Sequence, residues 1–181
     1  MIRASKLEIN NFDFDKILLR HFVFLNDAEK EMVRNWRNNK NIRKWFLHSA
    51  PITRKEHNHF IQNLKTDERN GHWLVVIKPD TPAGVVYLNR ISIDESEAHL
   101  GLYANPERHI PGAGDILMGS ILKLAFENLK LNTLRLSVLK DNLRAIRLYE
   151  RWNFITNQTI INKTRSDAVF QDRLLTMSFK K

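Results

Sequence analysis

Arg108-His109-Ile110-Pro111-Gly112-Ala113-Gly114-Asp115-Ile116-Leu117-Met118 joins a short apolar run, His99 to Ala104, to a long amphipathic pattern. The run reads as a strand and the pattern as a helix, so the stretch between them is a strand-to-helix junction. Two glycines there let the backbone curl tightly and turn successive N–H groups toward one point beyond the helix N-terminus. A diphosphate is the natural guest of such a nest. Alone the signal is weak, because a Gly-x-Gly at this kind of junction also serves ordinary turns.

A second segment gives it meaning: Leu134-Arg135-Leu136-Ser137-Val138-Leu139-Lys140-Asp141-Asn142-Leu143-Arg144-Ala145-Ile146-Arg147-Leu148-Tyr149-Glu150-Arg151-Trp152-Asn153-Phe154. It reads as a strand, an asparagine, a helix carrying Ala145-Ile146-x-x-Tyr149, and a turn into an aromatic. In this order and at this spacing the two segments resemble the Gcn5-related N-acetyltransferases, the GNAT family. The first matches the family's acetyl-CoA loop: Gln or Arg, two residues, Gly, one residue, then Gly or Ala. His109 stands at the Gln/Arg position, which leaves the backbone nest intact. Asn153 replaces the usual glycine before Phe154, and asparagine tolerates the left-handed backbone such a turn needs.

The resemblance implies an α/β (α+β) GNAT fold: a mixed sheet of about seven strands flanked by about four helices. Two parallel strands, near 99–104 and 133–139, would splay apart. The pantetheine arm of acetyl-CoA would lie in the gap and pair with exposed backbone, Leu102 and Ala104 included, as an added strand would. His109, Ile110, Pro111, Gly112, Ala113, Gly114 and Asp115 would form the loop that holds the pyrophosphate, aided by the helix dipole. Asn142 would lie beside the coenzyme A arm, and as a residue type it also suits the helix N-cap. Arg144 and Arg147 on the following helix read as solvated.

Tyr149 is the expected general acid. An amine attacking the thioester expels the coenzyme A sulfur, and a phenol within hydrogen-bond reach can protonate it. With no cysteine in the chain, direct attack in a ternary complex is the economical mechanism. A base must take the amine's proton. His99 is the candidate, since it shares a strand face with Gly101 and Tyr103 and imidazole titrates near neutrality. Glu97, on the same face, and a water chain are the alternatives.

The chain has 181 residues and no cysteine, which suits a single domain with its own core and excludes a thiol nucleophile or disulfide. The absence of cysteine and of any membrane-length apolar run points to a cytoplasmic location. No metal is expected. The formal net charge is +9 and the pI about 9.9, so anionic partners are expected. Seven basic residues and no acid fall between Arg34 and Lys55, with Trp36, Trp45, Phe46 and His48 among them. Such a window is either a solvated helix face with aromatic anchors or a pocket for phosphate and base.

Elsewhere, residues 20–25 read as a first strand, and Asp27 as the cap of a helix to about Asn38 with Ala28, Met32, Val33 and Trp36 on one side. Thr53-Arg54-Lys55-Glu56 is a capping box ahead of Phe60, Ile61 and Leu64. Strands follow at 72–77 and 85–92, then a helix marked by Ile116, Leu117, Ile121, Leu124, Ala125 and Leu129. Two final strands fit near 154–161 and 169–179. Residues 1–20 read as an N-terminal extension whose order the sequence leaves open.

Within the family one branch is the nearer likeness: the enzymes that acetylate the 4-amino group of a UDP-linked 4-amino-4,6-dideoxy sugar in pseudaminic acid biosynthesis. The residues carrying it are Phe24-Leu25-Asn26-Asp27-x-Glu29-Lys30, Trp36-Arg37-Asn38, His57-x-x-Phe60-Ile61-x-x-Leu64 and Gly101-Leu102-Tyr103-Ala104-Asn105-Pro106. That likeness implies that Arg37, His57, Arg90 and Tyr103 face the nucleotide-sugar. The alternative acceptor is a protein N-terminus, as in ribosomal-protein acetyltransferases. A polyamine is disfavoured because a basic pocket repels a polycation. A non-catalytic acetyl-CoA- or RNA-binding module on the same fold is the reading outside enzymology, although no nucleic-acid motif is recognisable. A homodimer is compatible with all of these.

Overall fold

The computed structural model describes residues 10–157 and 173–181. In chain order its elements are β1 (Phe12–Phe14), β2 (Ile17–His21), α1 (Asp27–Asn38), α2 (Lys40–Arg43), α3 (Arg54–Asn63), β3 (Gly71–Ile77), β4 (Thr81–Ser92) and β5 (Glu97–Ala104). They continue with α4 (Ala113–Lys123), β6 (Thr133–Leu139), α5 (Leu143–Arg151), β7 (Ile155–Thr156) and β8 (Leu174–Lys180). The strands form one sheet in the order β1-β2-β3-β4-β5-β6-β8-β7. Every pair is antiparallel except β5–β6, which is parallel and joined by the α4 crossover.

Both faces of the central strands are covered, so β3 and β4 are apolar nearly throughout. Trp73, Val75, Val86 and Leu88 face a core shared with Leu117, Met118 and Ile121 of α4 and with Leu148 and Tyr149 of α5. Leu74, Val76 and Val85 face the other way, against Val33 and Trp36 of α1 and Ile61 and Leu64 at α3. The crossover helix and α5 therefore lie on one side of the sheet, and α1 and α3 on the other.

Helix starts follow local chemistry. The Thr53–Glu56 capping box opens α3 as expected. For α1 the cap is Asn26 rather than Asp27: Asn26 accepts from the Glu29 N–H, and the Glu29 side chain accepts from the Asn26 N–H. Asp27 is the first helical residue, where its charge favours the positive end of the helix. Ala28 is exposed, while Val33 and Trp36 carry the buried stripe. Beyond α4 the helix widens into a π turn over Leu124–Asn128, closed by Leu129 N–H donating to the Leu124 carbonyl at 3.0 Å.

The N-terminal expectations need correction. The strand expected over 20–25 is β2, ending at His21, and a 3₁₀ turn of Phe22–Phe24 follows. Phe22 and Leu25 are both buried at a spacing of three, the period of a turn, and an unbroken apolar run does not distinguish that from a strand. Residues 12–20 of the expected extension, with His21, form the β1–β2 hairpin, whose Phe12, Phe14 and Ile17 pack on the core. The described residues form a mixed sheet of eight strands with five α-helices, in keeping with the expected fold, α2 being a single short turn. Of the two final strands, 158–161 and 169–172 lie outside the described residues; β7 and β8 are their described parts.

Three histidines lie in or beside the core on the α1–α3 side and β2. Burial lowers the pKa of His21 and of His57 to about 4, and that of His72 to about 3. All three are neutral in the native state, while an unfolded chain protonates them near 6.5. Their contribution is complete above that value and is lost as pH falls toward 4. Unfolding at pH 5.5 should take up about three protons, a slope of about 1.4 kcal/mol per pH unit for each. Urea melts across pH 5–7.5 measure that slope. A pH-independent midpoint would mean these imidazoles are not held neutral.

Candidate active site

The parallel pair holds for three residues, Glu97↔Thr133, Ala98↔Leu134 and His99↔Arg135. Past that point each strand follows its outer neighbour. β5 stays with β4 to Ala104↔Gly84, and β6 stays with β8 to Leu139↔Leu174. The facing edge of β5 from Leu100 to Ala104 therefore has no strand partner among the described residues, the arrangement that lets an extended amide-bearing chain pair with it. Arg135 pins the closed end: its Nε and Nη2 both lie 2.9 Å from the Glu97 carboxylate. Leu102 and Ala104 sit on the open stretch of β5, partly buried against the α4 side.

The loop after β5 is built on Asn105. Its Oδ1 accepts from the Glu107 and Arg108 N–H groups at 2.8 and 3.2 Å, and its Nδ2 donates to the Pro82 carbonyl. Glu107 in turn accepts from the buried Trp36 indole at 3.0 Å, tying the loop to α1. Gly112 has φ +71 and caps α4, in the left-handed region that an L side chain rarely adopts. A Cβ built there meets nothing within 4 Å, so the space above it is open. Ala113 N–H is used within the turn, donating to Ile110. The N–H groups of Gly112, Gly114 and Asp115 bond to no other described residue, as is usual for the first donors of a helix.

The remaining loop residues have structural duties. The Asp115 carboxylate reaches α5, accepting from Arg151 Nη2 at 2.8 and 3.0 Å and from the Trp152 indole at 2.9 Å. Gly114 allows α5 to approach, with Leu148 3.1 Å from where its Cβ would stand. Ile110 packs on the core, while His109 and Pro111 are exposed. Asn142 caps α5 through Oδ1, which accepts from Ala145 N–H at 3.3 Å, and its Nδ2 bonds to no described residue. Arg144 and Arg147 are exposed.

Tyr149 is buried on α5, its ring 6.0 Å from that of Phe154. Its hydroxyl bonds to no described residue. Burial pushes its pKa well above the usual phenol value, and the neighbouring Tyr87 adds to that rise. Tyr87 belongs to the opposite face of the sheet, so the two phenols lie within electrostatic reach of one another where the strands part. The Tyr87 ring crosses the backbone of Gly101 on β5, where any Cβ would collide with its Cζ and Oη. Tyr87 also stacks on His72, centroids 4.8 Å apart at 9°. Its pKa is pushed up to about 12 by burial.

Tyr103 and Arg37 complete this side. The Arg37 guanidinium lies 3.7 Å over the Phe46 ring, and Phe46 meets Tyr103 edge-on. Its Nη2 donates to the His48 carbonyl at 2.8 Å, but Nη1 is buried with no partner among the described residues. Burial lowers the Arg37 pKa, opposed by Tyr103 and Tyr87. A buried guanidinium nitrogen and three phenol hydroxyls, all without partners among the described residues, converge here. Polar groups so placed call for a polar ligand. His99 stands in the last β5–β6 pair, half-buried, with its pKa lowered first by burial and then by Arg90.

Arg37 and Tyr103 are thus brought together, with Tyr149 and His99 at the same opening. His57 is buried between Phe22 and Phe60, a neighbour of the cluster rather than a lining group. Arg90 is exposed at the β4 bulge with φ +53, beside His99 and apart from Arg37. The sequence reading does not single out Tyr87 or His72, whereas Phe46 belongs to its basic, aromatic window. The legible signal for Tyr87 was a tyrosine in an otherwise aliphatic strand opposite a lone glycine, but using it required the β4–β5 register.

A sheet with one parallel pair that opens after three residues, a glycine turn into the crossover helix and a helix carrying a buried tyrosine define an acyl-coenzyme A transferase of the GNAT type. Residues 16–155 match the family model described as an acetyltransferase (GNAT) domain, and the chain belongs to that family. It is an acetyl-CoA-dependent N-acetyltransferase. Acetyltransferase PseH of Campylobacter jejuni subsp. jejuni is 38% identical in strain 81-176 and 36% in strain NCTC 11168, each over 138 residues, 76% of this chain and 84% of the relative. The crystal structure of Campylobacter jejuni N-acetyltransferase PseH in complex with acetyl coenzyme A superposes with TM-score 0.70 at 30% identity, covering 91% of this chain and 99% of that one. Spermidine N-acetyltransferase from Vibrio cholerae, in complex with CoA and spermine, shares the fold at TM-score 0.76 with 20% identity, covering 92% and 96%.

Proposed function

We propose that this enzyme transfers the acetyl group of acetyl-CoA to the 4-amino group of a UDP-linked 4-amino-4,6-dideoxy sugar. The observation that carries the reading is Arg37 Nη1, which has no partner among the described residues and is buried beside Phe46 and Tyr103 at the mouth of the strand gap. A guanidinium held against an aromatic ring suits a nucleotide, whose phosphates need cations and whose base needs a stacking surface. Such a lining disfavours a polyamine, and the 20% likeness to a spermidine enzyme speaks for the fold alone. The similarity to acetyltransferase PseH supports the sugar acceptor.

In this reading acetyl-CoA lies in the β5–β6 gap with its pyrophosphate on the Gly112–Asp115 nest and Asn142 Nδ2 on its arm. The sugar enters from the Arg37–Tyr103 side. Its amine nitrogen forms the new C–N bond to the thioester carbon, and the C–S bond then breaks. Tyr149, kept protonated by burial, gives its proton to the departing sulfur. His99 takes the amine proton; desolvation keeps its imidazole neutral, and Glu97 is already engaged by Arg135. Rate should therefore fall only as pH drops below the ordinary histidine range.

Arg37→Ala should raise the KM for a UDP-amino sugar by about tenfold or more, with the KM for acetyl-CoA unaltered, as expected for a lost charge-assisted phosphate contact. Initial-rate kinetics in each substrate checks this. An unchanged acceptor KM would remove the main support for a nucleotide pocket.

A further inference from the structure

A cavity of about 390 Å³ opens beside α2, lined among others by Lys40, Arg43, Lys44, Phe46, Leu139 and Arg173. Four of these are cations, and there is no carboxylate among the described residues that line the cavity. Among the described residues none of the four is in a salt bridge; Arg43 donates to the Ser49 carbonyl and Lys44 lies over the Trp45 ring. Cations converging on one concavity without counter-charges repel one another, and a multiply charged anion relieves that repulsion. Leu47 in its lining is exposed, as is Trp45, over whose ring the lining Lys44 lies.

Its position connects it to the reaction. Phe46 is a wall of the cavity on one side and the partner of Arg37 and Tyr103 on the other. Leu139 ends β6, three residues before the Asn142 cap of α5. The cavity thus adjoins the acceptor mouth.

We infer that this cavity is a second anionic subsite, which receives the diphosphate of the nucleotide-linked acceptor through Lys40, Arg43, Lys44 and Arg173. The inference rests on the nucleotide-sugar reading above and adds to it. Arg37 alone supplies one cation, whereas an organic diphosphate carries at least two charges. Lysine and arginine at several angles match such a group as a cradle of point charges and planar forks. The same chemistry could come from the diphosphate of coenzyme A, so the test must tell the two sources apart.

UDP, uridine and coenzyme A are titrated calorimetrically into the full-length protein and into Lys40→Gln/Lys44→Gln and Arg173→Gln, with thermal melts to establish that each folds. The wild type should bind UDP at least about tenfold more tightly than uridine, and each variant should lose about tenfold or more of the UDP affinity while binding coenzyme A as before. In turnover the loss should fall on the acceptor KM. If the variants bind UDP as tightly as the wild type, the cavity is not the diphosphate subsite, although the acceptor reading stands. If coenzyme A rather than UDP loses affinity, the cavity serves the donor and the inference is overturned. If the wild type neither binds UDP nor acetylates UDP-amino sugars but turns over another amine, the acceptor reading falls and the inference with it.

Discussion

Tyr149→Phe should lower kcat by about two to three orders of magnitude while leaving the KM for acetyl-CoA nearly unchanged. Phenylalanine fills the same volume against Phe154 and Leu148 and removes only the hydroxyl. That hydroxyl has no partner among the described residues to leave stranded, so the fold should tolerate its loss. What disappears is the proton for the departing sulfur, needed in the transition state and not in the ground state. Because burial raises the Tyr149 pKa, the wild type should keep its activity well into the alkaline range, losing it only as the phenol ionises. A Tyr149→Phe enzyme with unaltered turnover across pH would show that the thiolate leaves unaided or is protonated by another group.

Gly112→Val should raise the KM for acetyl-CoA by about a hundredfold, equivalent to about 2.7 kcal/mol. Two causes add. At φ +71 a β-branched residue is strained and will pull the turn toward negative φ, which misaims the N–H groups of Gly112, Gly114 and Asp115. Its side chain also enters the open space above the loop, where the pyrophosphate is proposed to sit. Gly112→Asn separates the causes, since asparagine accepts the left-handed backbone and should cost much less. Binding of acetyl-CoA followed by calorimetry checks both. Wild-type affinity in the valine variant would mean that the pyrophosphate lies elsewhere.

What could be read without coordinates was whatever rests on local chemistry. The Gly112 turn, the Thr53–Glu56 box, the Asn142 cap and the alternation of β6 are each set within a few residues, and each is found as read. The splay needed the family likeness, because parallel pairing of Glu97 with Thr133 is a contact across the α4 crossover that no local pattern encodes. The β2 ending failed for a physical reason: Phe22 and Leu25 satisfy burial equally well as strand or turn. Asn26 and Asp27 are both good caps, and the reciprocal bond with Glu29 decides between them. The acceptor side was least legible. Arg37 and Tyr103 come together through the sheet face and Phe46, whereas Arg90 is carried away by a bulge between Asn89 and Ser92 that the sequence does not announce. Tyr87 was invisible as a site residue because its role depends on Gly101 lying opposite it, a matter of register.

Coenzyme A release by the purified enzyme at saturating acetyl-CoA, compared across UDP-linked 4-amino-4,6-dideoxy sugars, N-terminal peptides and polyamines, tests the central claim most directly. The account predicts that a UDP-amino sugar gives the highest kcat/KM, with one acetyl group gained at the sugar nitrogen per coenzyme A released. Preferential turnover of a peptide N-terminus or a polyamine, with the UDP-amino sugars left unmodified, would contradict it.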